Sequence, residues 1–169
     1  MTSSVVTTSV AQASSGPAPS ANAICAKVST KSVSGIVGYD LPAPTASTIK
    51  LKATKKNDEI SSVETSCTYG ADTAAALPKN VVLVYGVTSK RLTAAELKTE
   101  LSQAQTLNMT IVPYRGLGIP AYYYVFTIGG ITIRGISGSS GVQEYGAFVY
   151  SKTTPKSKLA ALARLAEKY

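Results

Sequence analysis

Two cysteines, Cys25 and Cys67, restrict the fold of this chain more than any other feature of its sequence. They do not form a Cys-x-x-Cys pair, and the sequence contains no histidine. A structural zinc site needs four Cys or His ligands, so these two cysteines cannot build one. A disulfide between them would close a loop of about 43 residues and stabilise the fold by roughly 4 kcal/mol. We therefore expect a disulfide and an oxidising compartment; two buried free thiols are the alternative.

The chain of 169 residues is predicted to consist of a polar tail and one domain. Residues 1–24 carry no charged side chain and are rich in Ser, Thr, Ala and Pro. Because they follow neither a helical nor a strand period, we expect them to form a flexible tether. Residues 25–169 are long enough to bury a core as a single domain that the disulfide would staple.

Capping signals predict three helices. The clearest spans 94–107, because Thr93 and Glu96 form a capping box at its start. A second helix is predicted over 30–37, where a glycine follows its last residue. The third is predicted to begin with Pro155 in its first turn, a position where the missing N–H of proline costs nothing.

Runs rich in β-branched and aromatic residues predict seven strands. They cover 48–54, 61–69, 80–88, 110–114, 121–128, 131–136 and 142–151. Short connections imply antiparallel pairing. The predicted fold class is α+β, an antiparallel sheet of about six to seven strands with three helices packed on one face.

Two finer features follow from the same patterns. A helix followed by strands occurs twice, from Ser29 and from Thr93, which suggests an αβββ pseudo-repeat. The glycine-rich stretch 135–141 is predicted to be a flexible loop.

The residue types present argue against most catalytic chemistry. Without histidine, Ser-His-Asp and Cys-His catalysis is excluded, and we expect neither a metal nor a cofactor. Gly116-x-Gly118-x-x-Ala121 matches the dinucleotide fingerprint only as a string, since strand-like residues follow it where a helix should begin. Ser47 and Lys50 match an S-x-x-K motif, but Ser47 precedes a strand, whereas the enzymes with this motif place the serine at the start of a helix. The protein is therefore predicted not to be an enzyme, with no catalytic residue assigned. A small hydrolase using carboxylates or a Ser/Lys pair is an alternative.

Tyrosines are concentrated in the second half of the chain. Along a strand, Tyr122 and Tyr124 should share one face and Tyr123 the other. Tyrosine combines an apolar ring with a polar tip, which suits binding surfaces. We expect a ligand or partner surface formed by Tyr114, Arg115, Tyr122, Tyr124, Arg134 and Tyr145. The alternative is that these rings pack across the strands.

The formal net charge of +8 bears on partners rather than on the fold. The expected partner is an unknown small ligand, a peptide or an envelope protein, with an anionic lipid or wall polymer as a further candidate. No helix carries a basic stripe with interleaved aromatic residues, which disfavours nucleic acid.

Several segments together resemble a known family. They are ICAKVSTKSVSGIVG at 24–38, CTYG at 67–70, GLGIPAYYY at 116–124, and an amphipathic helix that closes the chain. This arrangement resembles the small actinobacterial envelope lipoproteins of unknown function, over about residues 24–168. The resemblance implies that Cys25 and Cys67 are the family's two cysteines. It also implies that the protein is secreted or anchored to the outer face of the cytoplasmic membrane.

The predicted function is a non-catalytic, extracytoplasmic binding or interaction module of the bacterial cell envelope. An inhibitor or accessory partner of another envelope protein is the second hypothesis.

Overall fold

A computed structural model describes residues 20–53, 60–70, 79–103 and 109–169, and within them it contains four helices and seven strands. The helices are α1 (Ala21–Cys25), α2 (Thr30–Val37), α3 (Ala94–Gln103) and α4 (Lys156–Ala166). The strands are β1 (Thr45–Leu51), β2 (Ser62–Tyr69), β3 (Val81–Thr88), β4 (Thr110–Pro113), β5 (Ala121–Ile128), β6 (Ile131–Ser140) and β7 (Gln143–Tyr150).

All seven strands form one antiparallel sheet in the order β1-β2-β3-β7-β6-β5-β4. Two meanders, β1 to β3 and β4 to β7, meet where β3 pairs with β7. The segment that contains α3 must therefore carry the chain from the centre of the sheet to its far edge at β4. The predicted α+β class and antiparallel sheet are confirmed, whereas the number of helices is four rather than three.

The sheet has two differently covered faces. On the disulfide face, which carries Cys67 and Tyr123, the main core is formed with buried residues of α1, α2 and α4. The opposite face carries Tyr122 and Tyr124, and there α3 packs through Leu97 and its neighbours. The prediction that all helices cover one face is therefore wrong. The opposite face also carries aromatic rings whose apolar surface is removed from water on packing. The helix α3, which lies in the connection from β3 to β4, covers part of them.

The αβββ pseudo-repeat is also not supported. Two antiparallel halves of one sheet are related by a two-fold axis perpendicular to the sheet, which keeps equivalent helices on the same face. Here α2 and α3 lie on opposite faces, and four strands rather than three follow α3.

Helix ends follow the local capping chemistry closely. Ser29 caps α2 by accepting from the Ser32 N–H, and Gly38 ends the helix with a φ of 90°. The helix α1 was not predicted: Ser20 caps it, and Ile24 is buried in its last turn. The domain thus begins a few residues before the predicted boundary at 25, while 1–19 of the predicted tether lie outside the described residues. Pro155 is the N-cap residue of α4 and not part of its first turn.

The glycine-rich stretch predicted as a loop belongs to β6 instead, which extends to Ser140. Gly135 and Gly138 are buried in it. A Cβ at Gly135 would overlap the ring of Tyr124, which lies across from it on β5. Glycine is therefore used here because an aromatic ring occupies the space of a side chain, and not because the backbone needs to be mobile.

Cys25 and Cys67 form the expected disulfide, with an S–S distance of 2.01 Å and a Cα–Cα distance of 5.5 Å. Both cysteines are buried in the main core. The bond joins the end of α1 to β2 and so fixes the start of the domain to the sheet.

Replacing both cysteines tests this constraint. The double variant Cys25→Ala/Cys67→Ala should lose roughly 4 kcal/mol of unfolding free energy, because its unfolded chain is no longer constrained by the loop. Denaturant unfolding of the oxidised wild type, the reduced wild type and the double variant measures the difference. The reduced wild type should unfold at the same denaturant concentration as the double variant. Equal midpoints for all three proteins would contradict the prediction.

Candidate functional site

A shallow cleft of about 340 Å³ opens at the β4 edge of the sheet, where β5 begins. Its lining is mostly apolar and includes Pro113, Ile119, Pro120 and Ala121 together with the rings of Tyr114 and Tyr122. Arg115 is the charged residue of the lining, and it is exposed at the rim.

The walls of the cleft are held by hydrogen bonds to backbone atoms. The Tyr114 N–H donates to the carbonyl of Ala121 over 2.8 Å, which closes the connection between β4 and β5 at its base. From α4, Arg164 Nη2 donates to the carbonyl of Gly116 over 2.6 Å. The loop between the two strands is therefore anchored at both its base and its tip, so the cleft is a preformed feature.

The two tyrosines approach the cleft from different faces of the sheet. Tyr114 is half-buried and packs against the core of the disulfide face. Tyr122 is half-buried among residues of the opposite face, including Leu97 of α3. The cleft thus wraps around the end of the sheet edge, with one ring on each side.

Gly116 leaves the space that the Tyr114 ring occupies. A Cβ at this position would overlap the hydroxyl end of that ring. A side chain there would push the ring away from its present place, so the shape of the cleft depends on glycine at this position.

The first residue of α3, Ala94, lines the same cleft, and the capping box holds it in place. The Thr93 N–H donates to Glu96 Oε2 over 2.7 Å, and the Glu96 N–H donates to Thr93 Oγ1 over 3.2 Å. Lys90 Nζ lies 3.0 Å from Glu96 Oε1. The backbone N–H of Thr93, followed by Lys90, lowers the pKa of Glu96 from 4.5 to about 2.

The structure divides the six predicted surface residues into three groups. Tyr114, Arg115 and Tyr122 line the cleft. Tyr124 and Tyr145 are only 5% and 4% exposed, so the prediction that they form a surface is wrong. Arg134 lies on the disulfide face beside Tyr123, since it pairs across the strands with Val125 and Val149.

For Tyr124, the strand pattern predicted the correct face of the sheet but not the burial of the side chain. The alternation is as predicted, with Tyr122 and Tyr124 on one face. Tyr124 nevertheless sits in the middle of that face, over Gly135 and within the cluster that Leu101 of α3 helps to cover. Burial raises the pKa of the Tyr124 hydroxyl, while a hydrogen bond with Ser137 acts in the opposite direction. Its hydroxyl is a neutral, structural group.

Neither the predicted Ser/Lys pair nor the dinucleotide fingerprint has the geometry that its chemistry requires. Ser47 pairs with Ser66 and Lys50 with Val63, which places the serine and the lysine on opposite faces of β1. They cannot act on one substrate atom. Gly118 leads into strand β5 and not into a helix, so the dinucleotide fingerprint lacks its structural context.

A pair of carboxylates that the sequence did not reveal lies on the opposite face. Glu64 of β2 and Glu144 of β7 both pair with Gly86 of the strand between them. They are far apart in the sequence, so only the strand register places them on the same face, on either side of Gly86. Among the described residues, no three Cys, Asp or Glu side chains come together as metal ligands.

Comparisons with protein families, with curated proteins and with solved structures returned no match to this chain. The resemblance to actinobacterial envelope lipoproteins therefore stays a prediction. None of the helices in the described ranges is long and apolar enough to cross a membrane.

The lowered pKa of Glu96 makes the α3 wall sensitive to acid. A carboxylate with a depressed pKa stabilises the fold fully above its ordinary pKa of 4.5, and this contribution is lost as the pH falls toward about 2. Glu96→Gln should therefore lower stability at pH 7 and flatten the loss of stability over that acid range, while glutamine keeps the capping geometry.

Thermal unfolding between neutral and acid pH measures this effect. Asp40→Asn, at an exposed carboxylate outside the capping box, is the control, and the difference between neutral and acid stability that Glu96→Gln reduces should persist in it. Identical acid profiles for Glu96→Gln and the wild type would contradict the assignment.

Proposed function

We propose that this protein is a non-catalytic binding module of the bacterial cell envelope, working outside the cytoplasm and holding a small ligand in the cleft beside Tyr114 and Tyr122. The observation that carries the proposal is the cleft itself: two half-buried tyrosine rings, an apolar floor and one cation at the rim. Ligand sites typically combine an apolar lining with a few polar groups that orient the ligand.

The lining indicates the class of ligand. A volume of about 340 Å³ is near the lower limit of ligand pockets, which hold about 300–1,000 Å³. Tyrosine rings stack against a flat apolar surface, such as the C–H face of a sugar ring or the side of a proline. Arg115 would orient a carboxylate or another anion at the rim. The expected ligand is therefore small, with one apolar ring face and one negative group.

The disulfide supports the proposed location. Disulfides persist in oxidising compartments and are rare where cellular reductants keep thiols reduced. The Cys25–Cys67 bond is buried and joins elements of the main core, so its role is structural and not that of a transient redox pair. The resemblance to envelope lipoproteins points to the same location.

An accessory partner of another envelope protein remains the second candidate, and one observation favours it. Strand β1 is the outermost strand of the sheet on its side, with no described strand paired to its outer edge, and its Ile49 and Leu51 are 52% and 51% exposed. An exposed edge strand can pair with a strand of another chain. Lys50 and Lys52 lie on the same edge segment, and such lysines commonly prevent unwanted edge pairing.

Two wall sugars that differ in one carboxylate give a sharp test of the cleft. N-acetylmuramic acid carries a lactyl carboxylate that N-acetylglucosamine lacks, while their rings are otherwise alike. In an NMR titration, both should shift the amide signals of Tyr114 and Tyr122, and N-acetylmuramic acid should bind more tightly. Because Arg115 is exposed, its contribution should be modest, up to about fivefold in affinity.

Variants separate ring stacking from charge. Arg115→Gln should make the two sugars bind equally, whereas Gly116→Ala should weaken both by displacing the Tyr114 ring. Lys31→Gln, which removes one positive charge from an exposed position of α2, should change neither affinity. Shifts spread over the whole surface, or shifts unaltered in Gly116→Ala, would count against this cleft as the site.

The non-catalytic part of the proposal has its own test, because Glu64 and Glu144 could in principle serve a hydrolase. Purified protein should release no more nitrophenol from chromogenic glycosides and esters than the Glu64→Gln/Glu144→Gln double variant does. Hydrolysis by the wild type that the double variant lacks would favour the hydrolase hypothesis instead.

A further inference from the structure

Arg134 occupies an unusual position for a charged residue. It projects from β6, an inner strand of the sheet, onto the disulfide face between Val125 of β5 and Val149 of β7. Its Nε is buried and has no hydrogen-bond partner. Its Nη1 donates to the hydroxyl of Tyr123 at 3.4 Å, which is long for such a bond.

A second cation contacts the same tyrosine. Lys156 Nζ, from the first residue of α4, lies 4.4 Å from the centroid of the Tyr123 ring. The guanidinium and the ammonium thus stand at the hydroxyl and over the face of one ring. Pro155 caps α4 without a side-chain hydrogen bond, so the free N–H groups of the first turn add positive potential nearby.

These two cations have no negative partner in the part of the chain that the structure describes. Neither forms an ion pair with a described carboxylate. Glu64 and Glu144 project from the opposite face of the sheet, and Glu167 lies beyond the far end of α4, beside Tyr145. The side chains next to Arg134 on the same face are apolar or carry hydroxyl groups. Among them, Thr132 and Thr127 hydrogen-bond each other over 3.2 Å.

Three other cations of the domain differ from this pair, because each has an acceptor in the protein. Lys27, Lys158 and Arg164 each donate to a backbone carbonyl, over 2.7, 2.8 and 2.6 Å. Their heads therefore have structural acceptors. The buried Nε of Arg134 has lost its hydration without gaining a partner, and an anion is the acceptor that best compensates a buried charged donor.

We propose that Arg134 and Lys156 form an oxyanion site that binds a phosphate group against Tyr123. Arginine offers paired N–H donors to phosphate oxygens, and lysine adds a second positive charge beside them. The phosphate can belong to a lipid headgroup or to a soluble phosphate compound. This site is distinct from the cleft, because Tyr123, Arg134 and Lys156 are not among the residues that line the cleft.

Inorganic phosphate and anionic vesicles test the proposal and distinguish the two sources. At constant ionic strength and neutral pH, sodium phosphate should shift the amide signals of Arg134 and Lys156 in the NMR spectrum, whereas sodium chloride should not. Vesicles of phosphatidylglycerol should retain the protein in sedimentation, and vesicles of phosphatidylcholine should not, if a lipid headgroup is the source. Binding of phosphate without retention by vesicles indicates a soluble phosphate compound.

Matched variants decide whether binding occurs at this site. Arg134→Gln should weaken binding of the responding probe about tenfold, and Lys156→Gln, at an exposed position, up to about fivefold. Lys31→Gln is the control, since Lys31 is also an exposed lysine in the first turn of a helix. Lys156→Gln should not disturb folding, so it remains informative even if Arg134→Gln does not fold.

Each outcome of these experiments either supports the oxyanion site or overturns it. The proposal stands if either probe binds with the stated dependence on Lys156. It is overturned if neither probe binds, or if Lys156→Gln and Lys31→Gln bind equally well. Binding of N-acetylmuramic acid in the cleft should be the same in Lys156→Gln and the wild type, so a failure of one site is distinguishable from a failure of the other.

Discussion

The disulfide between α1 and β2 is the constraint on which the rest of the domain depends. It holds the first helix against the disulfide face, and the chain that follows it is secured by further long-range bonds. The Tyr69 hydroxyl donates to the carbonyl of Val28 over 3.0 Å, just ahead of α2. Lys158 of α4 donates to the carbonyl of Val37 at the end of α2. The helical layer is thus tied to the sheet and to itself at points far apart in the sequence.

Aromatic rings and glycines together shape both the interior and the cleft. Tyr124 occupies the space above Gly135, and Tyr114 the space above Gly116. The first pair is closed off by the helix and strands around it, whereas the second lies at the sheet edge and remains accessible. The same residue combination therefore makes a core in one place and a wall of the cleft in another.

The positive charge of the chain has several uses. Some cations donate to backbone carbonyls and hold helices in place, as Arg164 does at the cleft loop. Arg115, Arg134 and Lys156 are left for ligands in our proposals. Neighbouring residues of β5 point to opposite faces, so Tyr122 lines the cleft while Tyr123 belongs to the proposed oxyanion site.

Much of the fold was predictable because its signals are local. Hydrogen bonds between a cap and the first turn set the starts of α2 and α3, and alternating residues marked the strands. The disulfide could be expected from the number of cysteines and the lack of other ligands. For the candidate site, Tyr114, Arg115 and Tyr122 were predicted together.

What the sequence determined by itself was therefore most of the elements, though not α1 or the end of β6, together with the pairing of the cysteines and the alternation of faces, since these depend on neighbouring residues or on composition. Only the tertiary structure decided which face α3 covers, that Tyr124 and Tyr145 are buried, and that Glu64 and Glu144 flank one glycine. It also showed that Arg134 and Lys156 share one tyrosine. Each of these depends on contacts between strands and helices distant in the chain, and strand order and register are properties of the whole sheet.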